Sequence, residues 1–93
     1  MLNKDVMTNR WGNKEIVTSP SYGRIKAILL PAESRIYEWE PFLLLQTEDG
    51  QEIQLRVGVS GIINGYAVRE GDTVVPGAVI AYIEEDIMAS GSD

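Results

Sequence analysis

The stretch VGVSGIINGYAVREGDTVVPGAVIAYIEE, Val57 to Glu85, decides the fold. An apolar run opens at Ser60-Gly61 and closes at Val68, as a strand would. Arg69-Glu70-Gly71-Asp72 is a polar turn in which Gly71 suits a left-handed or otherwise tight backbone position. Thr73-Val74-Val75 reads as a very short strand, and Pro76-Gly77 turns the chain again. Ala78 to Glu84 is a strand of mostly branched apolar residues. The unit is strand, turn, short strand, turn, strand.

Upstream, the same order recurs. Glu15 to Thr18 reads as a first strand stopped by Ser19-Pro20. Gly23 to Leu30 is a second, with Ile25, Ala27 and Leu29 expected on one face and Lys26, Ile28 and Leu30 on the other. Pro31-Ala32-Glu33-Ser34 turns into a short strand at Arg35-Ile36-Tyr37. Glu38-Trp39-Glu40-Pro41 turns again into Phe42 to Gln46. Glu48-Asp49-Gly50 is a tight reversal whose Asp-Gly pair fits a two-residue hairpin turn, since both residues tolerate positive φ. Its partner strand, Gln51 to Val57, buries Ile53, Leu55 and Val57 by alternation. No stretch offers an amphipathic helix, and about eight short strands with turn chemistry between them mean an all-β domain.

A weak internal repeat links the two copies of this unit. Gly23 and Gly61 are 38 residues apart, and the same offset pairs Ile25 with Ile63, Leu30 with Val68, Ile36 with Val74 and Phe42 with Ile80. Two such halves predict a pseudo-twofold pair of sheets joined by the hairpin Gln46 to Gln51. The offset also assigns Asn64-Gly65, by itself a hairpin signal, to a strand interior with a bulge or close approach at Gly65, because its counterpart Lys26-Ala27 has no turn preference. The expected core is Ile25, Leu30, Ile36, Phe42, Leu45, Ile53, Ile63, Val68, Val74, Ile80 and Ile83.

Composition bounds the function. Ninety-three residues make one domain, and 44% hydrophobic content suffices for a modest core. The absence of cysteine excludes disulfides and thiolate chemistry, and the absence of histidine removes the usual general base and commonest metal ligand. The net charge of −6 divides into +3 over residues 1–26 and −9 over the rest. An acidic body repels nucleic acid and anionic membrane, so neither is an expected partner. With no signal peptide or membrane span visible, the expected compartment is the cytoplasm. Residues 1–14 read as a mobile N-terminal arm, 15–86 as the β domain and 87–93 as a frayed tail. Within the arm Trp11 is the one residue able to dock, either as a partner anchor or as a ring lying on the domain's outside or in solvent.

The run Gly61-x-Ile63-x(4)-Val68-x-Glu70-Gly71-Asp72-x-Val74-x-x-Gly77 resembles the second half of a biotinyl/lipoyl carrier domain, the single hybrid motif. Ser19-Pro20-Ser21-Tyr22-Gly23-Arg24-Ile25 resembles the opening of the first half. The resemblance covers about Ile16 to Glu85 and implies a flattened barrel of two small antiparallel sheets, the barrel-sandwich hybrid. Gly23, Gly61, Gly71, Asp72 and Gly77 carry its structural motif. Carriers present a lysine flanked by methionines at the hairpin between the halves. Here Asp49 or Gly50 stands at that position, and Gln46-Thr47-Glu48-Asp49-Gly50-Gln51-Glu52 contains neither lysine nor methionine.

The remaining chemistry is sparse. Glu38/Glu40, Glu48/Asp49/Glu52 and Glu84/Glu85/Asp86 are carboxylate clusters, read as a solvated acidic rim rather than as a calcium loop. Ser19, Ser21 and Ser60 are turn residues with no base beside them. No catalytic residue, metal site or bound cofactor is expected. The expected function is a non-enzymatic biotinyl/lipoyl-like module that docks to a protein partner and carries no covalent biotin or lipoate. The alternatives are a degenerate carrier still fitted to a carboxylase or acyltransferase complex, and, more distantly, a fragment of a membrane-fusion-type adaptor.

Overall fold

The computed structural model describes residues 2–5, 8–11 and 14–86. Ten strands and no helix lie among them: β1 (Leu2–Asp5), β2 (Thr8–Trp11), β3 (Lys14–Thr18), β4 (Gly23–Ile28), β5 (Arg35–Ile36), β6 (Leu43–Gln46), β7 (Glu52–Arg56), β8 (Gly61–Tyr66), β9 (Thr73–Val74) and β10 (Val79–Glu85). The eight from β3 to β10 make two antiparallel four-stranded sheets, ordered β7-β6-β4-β9 and β3-β10-β8-β5. The fold is all-β, as the turn spacing predicts.

Two features add to the expected plan. First, the segment 1–14, read as a mobile arm, includes two strands among its described residues. β1 pairs parallel with β7, Leu2 opposite Ile53, and β2 pairs antiparallel with β3, Thr8 opposite Val17. Ladder bonds use backbone alone, so a segment without side-chain periodicity can still add to an edge. The expected frayed tail, 87–93, lies outside the described residues. Second, the fold is the expected flattened pair of small antiparallel sheets, and no ladder among the described residues joins one sheet to the other to close a barrel. The edge strands β5 and β9 explain this: each is two residues long and offers only two paired positions.

The two sheets correspond strand for strand. Lys14 and Glu52 begin β3 and β7, Gly23 and Gly61 begin β4 and β8, Arg35 and Thr73 begin β5 and β9; each pair is 38 residues apart. β4 and β8 share one burial pattern along their length, as do β5 and β9. Each sheet takes its two central strands from one half of the chain and its outer two from the other, so the halves interlock. Glu15 is 2% exposed in β3 where its counterpart in β7 is Ile53 at 5%, a buried carboxylate that apolar periodicity does not signal.

The corresponding central strands β4 and β8 each carry a bulge at the same place. In β4, Ile25 faces Leu45 and Ala27 faces Leu44, leaving Lys26 extra; in β8, Ile63 faces Ile83 and Gly65 faces Tyr82, leaving Asn64 extra. A bulge slips the side-chain alternation by one. This corrects the expected faces of β4: Ile25 points into the core, but beyond the bulge Ile28 and Leu30 pack against it while Leu29 is exposed. Tyr66 and Val68 repeat the slip after Ile63. Of the expected core, Leu30 and Val68 are therefore partly buried, and the other nine residues are buried. Val17, Leu43, Leu55, Val57 and Ala81 complete it. Tyr66 donates its hydroxyl proton to the Leu30 carbonyl at 2.7 Å, and burial pushes its phenol up to about 12.

Gly23 and Gly61 are fixed by close approach. A Cβ on Gly23 would lie 2.6 Å from the Gln46 carbonyl oxygen, and one on Gly61 would overlap the carbonyl of Glu84, the residue corresponding to Gln46. Gly65, by contrast, has open space around it, so it permits the bulge and no close approach.

Candidate functional site

The hairpin between β6 and β7 is where a carrier's lysine would stand. Gln46 pairs with Glu52, the Thr47 amide donates to the Gln51 carbonyl at 2.8 Å, and the Gly50 amide returns to the Thr47 carbonyl at 3.0 Å. Glu48-Asp49-Gly50 is thus a three-residue reversal with Gly50 at φ 88°, and Asp49 is not left-handed. This corrects the expected two-residue turn: one glycine in the left-handed region closes a three-residue loop. The Thr47 hydroxyl donates to the Asp49 carboxylate and holds its pKa below the usual carboxylate range. The tip therefore offers a charged carboxylate and bare backbone.

Lys26, the bulge residue of β4, has its Nζ ion-paired with Glu52 at the foot of the hairpin. Lys14 opens β3 and Lys4 lies in β1, opposite Leu55 of β7. Trp11 ends β2 opposite Lys14; its side chain lies outside the described part of the structure.

Each of the three carboxylate clusters has a member in a backbone or ion-pair role. Glu40 accepts the Tyr37 amide at 3.0 Å. Glu52 pairs with Lys26, and Asp86 takes both terminal nitrogens of Arg35, whose guanidinium lies 5.5 Å from the centre of the Tyr37 ring. Outside the clusters, Glu70 accepts the Ile28 amide at 2.9 Å beyond the β4 bulge, and Asp72 accepts the Arg69 amide at 2.9 Å, closing the turn that Gly71 bends. Among the described residues no group of three or more Asp or Glu side chains is placed to hold a metal ion. The Ser19 hydroxyl donates to the Ser21 carbonyl at 2.7 Å, and the Ser60 hydroxyl accepts the Glu38 amide at 3.1 Å, so both act as turn residues.

Two grooves lie at corresponding ends of the sheets. One, of about 350 Å³, runs beside the hairpin between Tyr22, Arg24, Gln46, Glu48 and Thr73. The other, of about 340 Å³, is lined by Glu38, Gly58, Val59, Ser60, Glu85 and Asp86. Sequence periodicity does not single out Tyr22 or Arg24, although an aromatic ring inside the Ser19-Pro20-Ser21-Tyr22 turn is the signal that was there to read. Among the described residues no helix is long and apolar enough to cross a membrane. No protein-family model matches the chain, and no curated protein matches it either.

Proposed function

We propose that this chain is a non-enzymatic biotinyl/lipoyl-like domain that serves as a small protein-interaction module and is not itself biotinylated or lipoylated. The observation that carries the reading is the hairpin tip, where Asp49 and Gly50 stand in a reversal that contains no amine. Amide formation with biotin or lipoate needs a nucleophilic primary amine, and a carboxylate cannot supply one. The interlocked halves, matching at a 38-residue offset, support descent from a duplicated strand-turn-strand unit of the kind the resemblance implies. The acidic body disfavours nucleic acid and anionic membrane, which leaves a protein partner in the cytoplasm as the proposed setting. The three-residue reversal leaves no room for the helical hairpin of a membrane-fusion-type adaptor, which counts against that alternative.

The test is mass spectrometry after incubation with a biotin ligase or a lipoate ligase and substrate. The native domain is expected to gain no mass. Asp49→Lys restores an amine without disturbing the left-handed Gly50, whereas Gly50→Lys adds backbone strain of about 1 kcal/mol. Modification of Asp49→Lys alone would favour the degenerate-carrier reading, with the remaining docking surface intact. Modification of the native chain at Lys26 would overturn the proposal.

A further inference from the structure

We propose that the groove beside the β6–β7 hairpin binds a small zwitterionic group, one carrying a carboxylate and an ammonium around an apolar body. This goes beyond the module reading and does not depend on descent from a carrier. Three features of the groove converge. Tyr22, 57% exposed, presents a bare aromatic ring on its wall. Arg24 and Glu48, both exposed, line the same groove, and neither makes an ion pair or side-chain hydrogen bond among the described residues. That sets them apart from Lys26 with Glu52 and Arg35 with Asp86, which neutralise each other in pairs.

The corresponding groove shows that this chemistry is not imposed by the fold. There Ser60 stands for Tyr22 and Asp86 for Glu48, Asp86 is already taken by Arg35, and the counterpart of Arg24 is the apolar Ile62, which does not line that groove. The same backbone thus carries an aromatic ring with two unspent opposite charges at one end and neither at the other. A guanidinium donates two parallel N–H bonds to a carboxylate, an ammonium donates to a carboxylate, and the ring covers the apolar body between them. A volume of about 350 Å³ suits a ligand of dipeptide size. Its source is either a free amino acid or dipeptide, or a Lys-apolar-Glu segment of a partner chain.

The experiment titrates the 15N-labelled full chain with three probes: leucyl-leucine with free termini, acetyl-Lys-Leu-Glu-amide, and acetyl-Leu-Leu-amide. The expected result is saturable, millimolar movement of the Gly23, Arg24, Glu48, Gly50 and Thr73 amides with one or both charged probes and none with the uncharged one. A response to leucyl-leucine assigns the free zwitterion; a response confined to acetyl-Lys-Leu-Glu-amide assigns a partner segment. Arg24→Gln and Glu48→Gln, exposed changes that leave the core alone, are each expected to weaken binding about three- to fivefold. Failure of both charged probes at tens of millimolar, equal movement by the uncharged probe, or binding undiminished in both variants would each overturn the proposal.

Discussion

The turns of the first half and those of the second share a backbone and almost no sequence. In the first half the Ser34 amide donates to Pro31, the Glu33 amide to Ile63 and the Ile63 amide to Ser34, at 3.3, 2.6 and 2.9 Å. In the second the Asp72 amide donates to Arg69, Gly71 to Ile25 and Ile25 to Asp72, at 3.1, 2.7 and 2.8 Å. The next turn matches too: Trp39 donates to Val57 at 2.8 Å, as Gly77 donates to Ser19 at 2.9 Å. Both pairs of turns enter the left-handed region. Gly71 and Gly77 do so at φ 95° and 87°, and their counterparts Glu33 and Trp39 at 69° and 66°. The second half uses the residue that meets this demand without strain. The first half meets it with a glutamate and a tryptophan, at a cost of about 1 kcal/mol each.

One of these exchanges has a packing reason. A Cβ on Gly58 would come within 2.9 Å of the Trp39 ring, so the ring occupies the space beside that glycine. In the other half the corresponding residues are Gly77 and Pro20. There a Cβ on Gly77 would meet nothing within 4 Å, so the ring-to-glycine contact belongs to the Trp39 turn. Backbone hydrogen bonds therefore hold the plan constant while side chains diverge around it, which is also how the two grooves came to differ.

If the halves are equivalent in the core, corresponding truncations should cost alike. Ile25→Ala and Ile63→Ala, both at fully buried sites just before the bulges, should each destabilise by about 2–5 kcal/mol in urea unfolding. A near-neutral result at one of them would break the correspondence. The glycines sharpen it further. Gly61→Ala and Gly23→Ala both push a methyl into a backbone carbonyl that cannot swing aside, and about 1–3 kcal/mol is expected of each, with Gly61 the more costly. Melting temperatures that leave either variant unchanged would mean that the strand can move away from its neighbour.

Much of this was legible from the residues alone. Gly and Pro punctuation placed all eight strands of the body, and the offset of Gly23 from Gly61 placed Asn64-Gly65 inside β8 against its own turn propensity. The faces of β4 beyond Lys26 were not legible, because the bulge that reverses them leaves no trace in Lys26-Ala27. Glu33 and Trp39 gave no sign of positive φ, since neither residue type asks for it. The edge strands β1 and β2 pair through backbone groups and show no side-chain period. The groove escaped for a different reason: Tyr22 and Glu48 are far apart in sequence, and the fold of β4 onto β6 brings them to one wall.

The equivalence of the two halves is tested most directly by trading residues between corresponding turns and measuring equilibrium unfolding of Gly71→Glu and Glu33→Gly. Space around Gly71 is open, so the cost of a side chain there comes from the backbone alone. Gly71→Glu should lose about 1 kcal/mol. Glu33→Gly should lose nothing and gain up to about 1 kcal/mol, as relief of strain outweighs the added freedom of the unfolded chain. A Glu33→Gly variant that loses about 1 kcal/mol, as glycine does at an ordinary position, would contradict the account, as would a Gly71→Glu variant of native stability.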